Sequence, residues 1–363
     1  MEGDVPNLWV LTSSKAGDNA QALHLATALA LPCRQVKLAI KPRFVVRKPK
    51  VAASLDHIDW SRSDRLDPPW PDLVIAIGRR LSNVALWIRA QSGARTRTVL
   101  MGVPKGEARS FDLAVVPVSH RAGGPGIIAI GLPLMGIAAP KLAEAREAWR
   151  ETFSRLPRPL TALLIGGSTA ARRFDPATVR ILLREARSIL ARDGGSLAVV
   201  TSPRTPPDVE ATLREGMPQG AGFFPWRPEA PNPYVGLLAF ADRCIVTGDS
   251  LSMIVEAARA GKPLAIAPVY PSSRPALWLL EATGLAPRAF DPLRRDRATR
   301  LLRRVAAIGT AGGARDTARL HQYLYDNAWA VPLGQSFRVP AAPPPDDSAA
   351  VAARIRTLLG LTD

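Results

Sequence analysis

A stretch near residue 250 carries hydroxyl, carboxylate and glycine residues at a spacing that suits a phosphorylated ligand. Residues 244–257 predict a short β-branched strand, a small polar turn and then a helix. A helix N-terminus presents unpaired N–H groups and a partial positive charge, and both favour a bound anion. Ser250 and Ser252 can add hydroxyl donors, and Glu256, about two turns into the helix, can accept hydrogen bonds from a ribose. The alternative is an ordinary βα turn in which Asp249 is the N-cap and Ser252 lies in the first turn.

Two other loops carry groups that suit phosphate, and each follows a predicted buried strand. Glycines in Gly166-Gly167-Ser168 let the backbone approach a ligand or a facing domain closely, and Ser168 can donate to phosphate. Arg204 lies among hydroxyls in the loop 201–206, where a guanidinium suits phosphate. Ligands of open α/β sheets bind at the carboxyl ends of strands. The alternatives are a tight βα turn for the glycines and a solvated arginine in a proline-stiffened loop.

An acid in the first half of the chain is a candidate general base. Asp18 lies in a predicted loop, 13–19, after a strand at 8–12, and no further acid follows until Asp56. We expect the next helix to begin near residue 20. A carboxylate at a helix start can accept a proton from a substrate, or it can simply be the N-cap.

Seven basic residues are interleaved with apolar ones between residues 34 and 50. Basic and apolar residues together suit an anionic membrane surface or a lipid-linked acceptor, and we assign this role to Lys41, Arg43, Arg47 and Lys48. The alternative is a solvated charged face. No helix-turn-helix or RNP pattern is present, so we expect no nucleic-acid partner.

Composition and charge favour a globular protein with an anionic partner. The 363 residues suffice for two domains, and the hydrophobic and charged fractions are 47% and 22%. A formal net charge of +17 favours nucleic acid, an anionic membrane surface or a phosphorylated substrate. Most of the basic residues are arginines, a bias that base composition of the gene can also produce.

Cysteine and histidine usage predicts no metal site and no cofactor. The two cysteines and four histidines are scattered and lack metal-ligand spacing.

No apolar run reaches the roughly 18 residues needed to span a bilayer. We therefore expect a cytoplasmic protein, attached at most to the inner face of the cytoplasmic membrane. The oligomeric state stays open.

The chain alternates strands and helices twice over, which predicts two doubly wound α/β domains. We expect a first domain over 1–135, a connection over 136–159, a second domain over 160–338, and a Pro-rich linker with a terminal helix over 339–363. That helix can pack back on the first domain. Predicted strands lie at 8–12, 35–40, 73–77, 98–103, 113–116 and 127–130, and then at 161–165, 197–201, 222–224, 263–267 and in the run that starts at 244.

Taken together, these motifs resemble the ELM1-type family, which includes bacterial proteins assigned as glycosyltransferases and a plant protein implicated in mitochondrial fission. The resemblance covers most of the chain, and the last motif, with Gly261-Lys262-Pro263 after it, is the most specific part. The motifs are Gly17-Asp18-Asn19-x-Gln21, Gly166-Gly167-Ser168, Thr201-Ser202-x-Arg204-Thr205-Pro206, Asn232-Pro233-Tyr234 and Thr247-x-Asp249-Ser250-x-Ser252-Met253-x-x-Glu256-Ala257.

The resemblance implies a GT-B-like fold with two facing Rossmann-like domains, the second of which holds a nucleotide-sugar donor. It also implies a metal-independent glycosyltransferase that acts on a lipid-linked or cell-envelope acceptor, with Asp18 as the base. The implied donor-binding residues are Gly167, Ser168, Arg204, Asp249, Ser250, Ser252 and Glu256. Two other functions stay open: a non-catalytic membrane adaptor on the same fold, and a nucleotide-sugar epimerase, for which the histidines are poorly placed.

Overall fold

The chain divides into two compact units in the computed structural model. One unit comprises residues 1–135 and 345–363, and the other comprises residues 136–344. The structure describes residues 5–46, 49–104, 109–120, 123–168, 174–269, 296–299, 301 and 317–361. Each unit is built on one six-stranded sheet in which every described strand pair is parallel.

The sheet of the first unit has the strand order β2-β1-β3-β4-β5-β6. Its strands are β1 (Leu8–Thr12), β2 (Cys33–Lys37), β3 (Leu73–Ile77), β4 (Arg97–Met101), β5 (Leu113–Pro117) and β6 (Ile127–Ile130). Helices α1 (Ala16–Leu29), α2 (Pro42–Val46) and α3 (Gly78–Gln91) lie between them. All residues of β1 and β3 are buried, as continuous apolar strands covered on both faces should be.

The sheet of the second unit has the order β12-β11-β10-β7-β8-β9. Its strands are β7 (Leu160–Leu164), β8 (Ser196–Val200), β9 (Gly222–Phe224), β10 (Arg243–Thr247), β11 (Leu264–Ala267) and β12 (Val331–Pro332). The described helices of this unit are α4 (Ala139–Ala148), α5 (Arg150–Phe153), α6 (Pro176–Asp193), α7 (Pro207–Glu215), α8 (Tyr234–Phe240), α9 (Leu251–Arg259) and α10 (Thr317–Asp326). Helix α4 packs on α8, so the segment after residue 136 belongs to this unit.

The terminal helix α11 (Ser348–Leu358) packs against α1 of the first unit, which confirms that it folds back on the first domain. Val351 and Ile355 are fully buried in the core of that unit. Just before the helix, His24 and Asp346 pair at 2.6 Å. The Asp347 carboxylate accepts the Gly131 N–H at 2.8 Å, which ties the helix start to the end of β6.

The strand orders create one switch point in each sheet. In the first unit the chain runs from β1 outward to β2 and then crosses to β3, on the other side of β1. In the second unit it runs outward from β7 to β8 and β9, and then crosses to β10, on the other side of β7. At such a point the loops after the two central strands leave in opposite directions and open a crevice. These crevices lie between β1 and β3, and between β7 and β10.

The predicted fold class, an α/β protein with two Rossmann-like doubly wound domains, is confirmed. One boundary differs in a way that matters for function. Helix α1 begins at Ala16, earlier than expected, because Lys15 already has extended backbone geometry and acts as the N-cap. Asp18 therefore lies inside the first turn, and the interpretation of Asp18 as an N-cap is wrong.

Candidate functional site

Three loops converge at the switch point of the second unit, and all three leave carboxyl ends of neighbouring strands. The loop after β7 carries the two glycines at 166–167, the loop after β10 carries residues 248–250, and the loop after β8 carries Arg204. Backbone and side-chain hydrogen bonds cross between them. The Gly166 N–H donates to the buried Thr247 hydroxyl at 2.8 Å, so β7 and β10 are joined just past their last pairing.

The Asp249 carboxylate is the central link between these loops. Its Oδ2 accepts the Gly167 N–H at 2.9 Å and a guanidinium N–H of Arg204 at 3.1 Å. Its side chain is completely shielded from solvent, and Oδ1 has no hydrogen-bond partner within the described parts of the chain. The interpretation of Asp249 as the N-cap of α9 is wrong: Ser250 occupies that position, without a side-chain cap.

The two glycines are required by this close approach of the loops. A Cβ on Gly166 would lie 2.2 Å from Asp249 Oδ2, and one on Gly167 would lie 2.0 Å from the Arg204 carbonyl oxygen. Neither distance is compatible with a side chain. The glycines therefore serve the contact between the β7, β8 and β10 loops within one domain.

The Arg204 loop is fixed by hydrogen bonds to the loop after β7, while the Arg204 side chain stays partly exposed. The hydroxyls of Ser202 and Thr205 both donate to the Gly166 carbonyl, at 2.8 and 2.6 Å. Arg204 also reaches the Gly167 carbonyl at 3.3 Å, yet its side chain remains 44% exposed. A guanidinium has five N–H donors in a planar fork, so Arg204 keeps donors for a ligand while Asp249 fixes its position.

The serines of the site differ in availability. The Ser168 hydroxyl donates to the Phe174 carbonyl at 3.3 Å and accepts the Phe174 N–H at 3.1 Å, so it is engaged with the backbone of Phe174. Ser250 is buried at the start of α9, and Ser252 is half-buried in its first turn. The first N–H groups of α9 lie beside these two hydroxyls.

Glu256 on α9 has a partner that sequence reasoning did not assign to the site. The Tyr234 hydroxyl donates to Glu256 Oε2 in a short hydrogen bond. Burial raises the pKa of Glu256, although the Tyr234 hydrogen bond and the charge of Lys141 oppose that shift. Burial also raises the pKa of Tyr234 well above its ordinary value. The signal for Tyr234 was present in the Asn232-Pro233-Tyr234 motif, where Asn232 Oδ1 accepts the Tyr234 N–H at 3.0 Å.

A second residue missed from the sequence packs against the same turn. A Cβ on Gly248 would lie 2.9 Å from Cε1 of His321, so the imidazole on α10 rests on the backbone between β10 and α9. Gly248 and His321 are 73 positions apart in the sequence, so no local pattern predicts their contact.

In the first unit, Asp18 lies at the corresponding switch point, between the loops that follow β1 and β3. Its buried carboxylate pairs with Lys15 Nζ at 3.2 Å and interacts with Arg80 near the start of α3. Arg80 is anchored in turn by the Phe44 carbonyl at 2.7 Å. The candidate base is thus a shielded carboxylate between two cations.

The basic segment is only partly described. Lys41 donates through Nζ to the Asp56 carbonyl at 2.8 Å, and the exposed Arg43 stacks over Phe44 at 4.7 Å. Arg47 and Lys48 lie outside the described residues. Across the described parts of the chain, no group of three or more His, Cys, Asp or Glu residues could hold a metal ion. No helix in those parts is long and apolar enough to cross a membrane.

The fold and the two switch points define an α/β protein with two Rossmann-like units, each built on one six-stranded parallel sheet. The chain belongs to the mitochondrial fission ELM1 family, whose family model matches residues 16–280. It is 26% identical over 217 residues to the mitochondrial fission protein ELM1 of Arabidopsis thaliana, a match that covers 53% of this chain and 51% of that protein. The chain therefore spans about half the length of that relative.

Other similarities extend over more of the chain. An uncharacterized Rickettsia prowazekii protein, RP120, is 24% identical over 297 residues, which cover 72% of this chain and 82% of that protein. Among solved structures, S. aureus MnaA with UDP has a TM-score of 0.48 at 11% identity and covers 98% of both chains. A UDP-glucosyltransferase of Polygonum tinctorium has a TM-score of 0.47 at 10% identity, with 99% and 100% covered.

Replacement of Asp249 by alanine should destabilise the protein. The change leaves the buried Gly167 N–H without its acceptor, at a cost of about 1–3 kcal/mol, whereas Asp249→Asn keeps an acceptor oxygen and should cost less. Urea unfolding measures both variants. Glu229→Ala is the matched control, because Glu229 is an exposed acid of the same unit and its loss should change the free energy of unfolding by no more than about 0.5 kcal/mol. Equal midpoints for Asp249→Ala and Glu229→Ala would contradict the assigned link.

The raised pKa of Glu256 predicts a pH-dependent difference between the wild type and Glu256→Gln. The stabilisation that Glu256 contributes is fully present below its ordinary pKa of 4.5 and is lost as pH rises through the raised folded pKa. Glutamine keeps an acceptor for Tyr234 and does not ionise. Glu256→Gln should therefore gain stability relative to the wild type as pH rises above 4.5, in urea unfolding at several pH values. Glu229→Gln is the control, and its free energy of unfolding should differ from that of the wild type by the same amount at every pH. If the difference between Glu256→Gln and the wild type is equally independent of pH, the prediction is wrong.

Proposed function

We propose that the second unit binds the donor of a glycosyl transfer, a nucleotide sugar, at the switch point between β7 and β10. The observation that supports this proposal is that the Arg204 loop and the loop that leads into α9 are joined at this switch point through Asp249, with Glu256 further along the same helix. The first N–H groups of α9, the hydroxyls of Ser250 and Ser252, and the outer donors of Arg204 offer positive potential to a diphosphate. Glu256, fixed by Tyr234, is the acceptor for ribose hydroxyls.

Within this proposal Asp249 does not contact the donor. A carboxylate in contact with a diphosphate would repel it. Asp249 Oδ2 instead accepts hydrogen bonds from the Gly167 N–H and from the Arg204 guanidinium. Its role is to hold the loop of residues 166–168 and to aim Arg204. Gly167 and Ser168 likewise shape the crevice, since the Ser168 hydroxyl is engaged with Phe174.

The reaction that fits these groups is metal-independent transfer of the sugar to a hydroxyl. The acceptor oxygen forms a bond to the anomeric carbon while the bond from that carbon to the diphosphate oxygen breaks. The nucleoside diphosphate leaves with the electron pair, and Arg204 and the α9 N-terminus stabilise the developing charge. Asp18, placed at the switch point of the first unit, takes the acceptor proton as a general base.

The acceptor class follows from the basic segment. Arg43 is exposed beside Phe44, and Arg47 and Lys48 follow after two valines in the sequence. Basic residues next to apolar ones favour contact with an anionic bilayer surface. We infer a lipid-linked or cell-envelope acceptor at the cytoplasmic face of the membrane.

Family membership favours one alternative, a non-catalytic adaptor that recruits a membrane-remodelling partner. The observation behind it is the name of the plant relative, a mitochondrial fission protein. The adaptor hypothesis requires that Asp18→Asn and Glu256→Ala preserve cellular function, while charge reversal at Arg43, Arg47 and Lys48 abolishes it. The transferase proposal requires the opposite response to the first two variants. An epimerase would need a cluster of acids and histidines around the sugar, and His321 alone lies against the donor-site turn in the described part of the unit.

The donor assignment predicts that nucleoside diphosphates and their sugars raise the melting temperature. A ligand at 100 times its Kd stabilises the folded state by about 2.7 kcal/mol. A panel of UDP, GDP, CDP and ADP and their sugars identifies the nucleotide by thermal shift. Arg204→Gln should weaken binding of the best ligand roughly ten-fold or more, because it removes a charge-assisted phosphate contact worth about 1.5–3 kcal/mol.

Arg155→Gln is the matched control, since Arg155 is an exposed arginine of the same unit. Its affinity should equal that of the wild type. Absence of a shift with every nucleotide and nucleotide sugar at millimolar concentration would overturn the donor assignment.

A further inference from the structure

A cavity in the first unit is lined by residues that have no role in the proposed donor site or as the proposed base. Its volume is about 310 Å³, and it lies beside the start of α1. The polar residues that line it are Ser13, Ser14, Asn19, Gln35, Lys37 and Arg62. This volume is at the lower end of the range of about 300–1,000 Å³ typical of small-molecule sites. No acidic side chain lines it.

The strand register explains why an opening exists here. Lys37 is the last residue of β2 and pairs with Thr12, the last residue of β1. Gln35 and Lys37 lie on the same face of the strand, because side chains alternate along it, and both are exposed. Strand β2 is at the edge of the sheet, so this face is left uncovered at the carboxyl ends of β1 and β2, where open sheets bind ligands.

The cavity is charged and its walls are held firmly. Asn19 Oδ1 accepts the Ser13 N–H at 2.9 Å, and its amide donates to the Ser13 carbonyl at 2.6 Å, so the loop after β1 is fixed. The Ser13 hydroxyl accepts the Lys15 N–H at 3.4 Å, which leaves its own proton for a ligand.

The acids that are close in sequence to the two cations have other contacts. Asp64 Oδ2 accepts the Lys37 backbone N–H at 2.7 Å. Asp59 Oδ1 accepts from the amide and the hydroxyl of Ser61, at 3.2 and 2.7 Å. Lys37 and Arg62 therefore bring an ammonium and a guanidinium group to the cavity. The hydrogen bond from Ser61 and, to a smaller extent, the charge of Arg62 lower the pKa of Asp59, yet neither cation forms an ion pair within 4.0 Å among the described residues.

We propose that this cavity binds the phosphate group of a small phosphorylated molecule, with Lys37 and Arg62 as the cationic donors and Ser13 and Ser14 as hydroxyl donors. Asn19, on its wall, is the neighbour of Asp18 in α1. The identification of that molecule with part of the acceptor rests on the proposed transferase function, which places Asp18 as the base. The anion site itself does not depend on it.

The test is titration calorimetry with glucose 1-phosphate, and with glucose as the uncharged match. Glucose 1-phosphate should bind the full-length wild type and glucose should not. The double variant Lys37→Gln/Arg62→Gln should bind glucose 1-phosphate at least ten-fold more weakly. Both side chains are exposed, so its urea midpoint should equal that of the wild type. Arg155→Gln/Arg354→Gln removes two exposed cations elsewhere and should change the affinity less than two-fold.

Titration of UDP into the same proteins separates this site from the donor site. The Lys37→Gln/Arg62→Gln variant should bind UDP like the wild type, and Arg204→Gln should bind glucose 1-phosphate in the cavity like the wild type. If UDP fails to bind but glucose 1-phosphate binding still needs Lys37 and Arg62, the transferase proposal fails and the anion site stands. Absence of glucose 1-phosphate binding at about 10 mM, roughly ten times a Kd of 1 mM, would overturn the anion site, and so would binding that is lost only in Arg204→Gln.

Discussion

The second unit depends on one buried carboxylate that crosses its switch point. Asp249 lies in the loop that follows β10, and its carboxylate accepts hydrogen bonds from the Gly167 amide and the Arg204 guanidinium. This one carboxylate therefore links the loops that follow three neighbouring strands, β10, β7 and β8. A buried charge is tolerated only when it is paired and hydrogen-bonded, and the close approach of the loops leaves no space for a Cβ at Gly166 or Gly167. The glycines, the arginine and the aspartate therefore form a single structural requirement.

This arrangement separates the groups that build the crevice from those that remain available in it. Asp249 and the Gly167 carbonyl hold the guanidinium of Arg204 in place, while the side chain stays partly exposed to solvent. Because Asp249 does not cap α9, its carboxylate does not occupy the first N–H groups of that helix, next to which Ser250 and Ser252 lie in sequence. Glu256 lies further along the same helix, where Tyr234 orients it. The donors at Arg204 and at the start of α9 suit an anion, and the acceptor Glu256 suits a group with several hydroxyls.

The sequence predicts the fold well because hydrophobic strands are local patterns. The strands at 8–12, 73–77, 127–130 and 222–224 coincide with β1, β3, β6 and β9. Side-chain partners are a different matter. An aspartate before a helix normally indicates an N-cap, yet Asp249 turns to a glycine loop 82 positions away. The contacts of Tyr234 with Glu256, and of His321 with Gly248, likewise depend on the packing of separate helices, which no local pattern encodes.

The most direct test of the account is a crystal structure of the full chain with UDP. We expect the diphosphate within hydrogen-bond distance of the first amides of α9 and of the outer Arg204 donors, and the ribose hydroxyls on Glu256, with Asp249 still bound to Gly167. Binding of UDP away from the β7–β10 crevice, or displacement of Asp249 from Gly167 by the phosphates, would contradict the central claim that Asp249 builds the site for the donor.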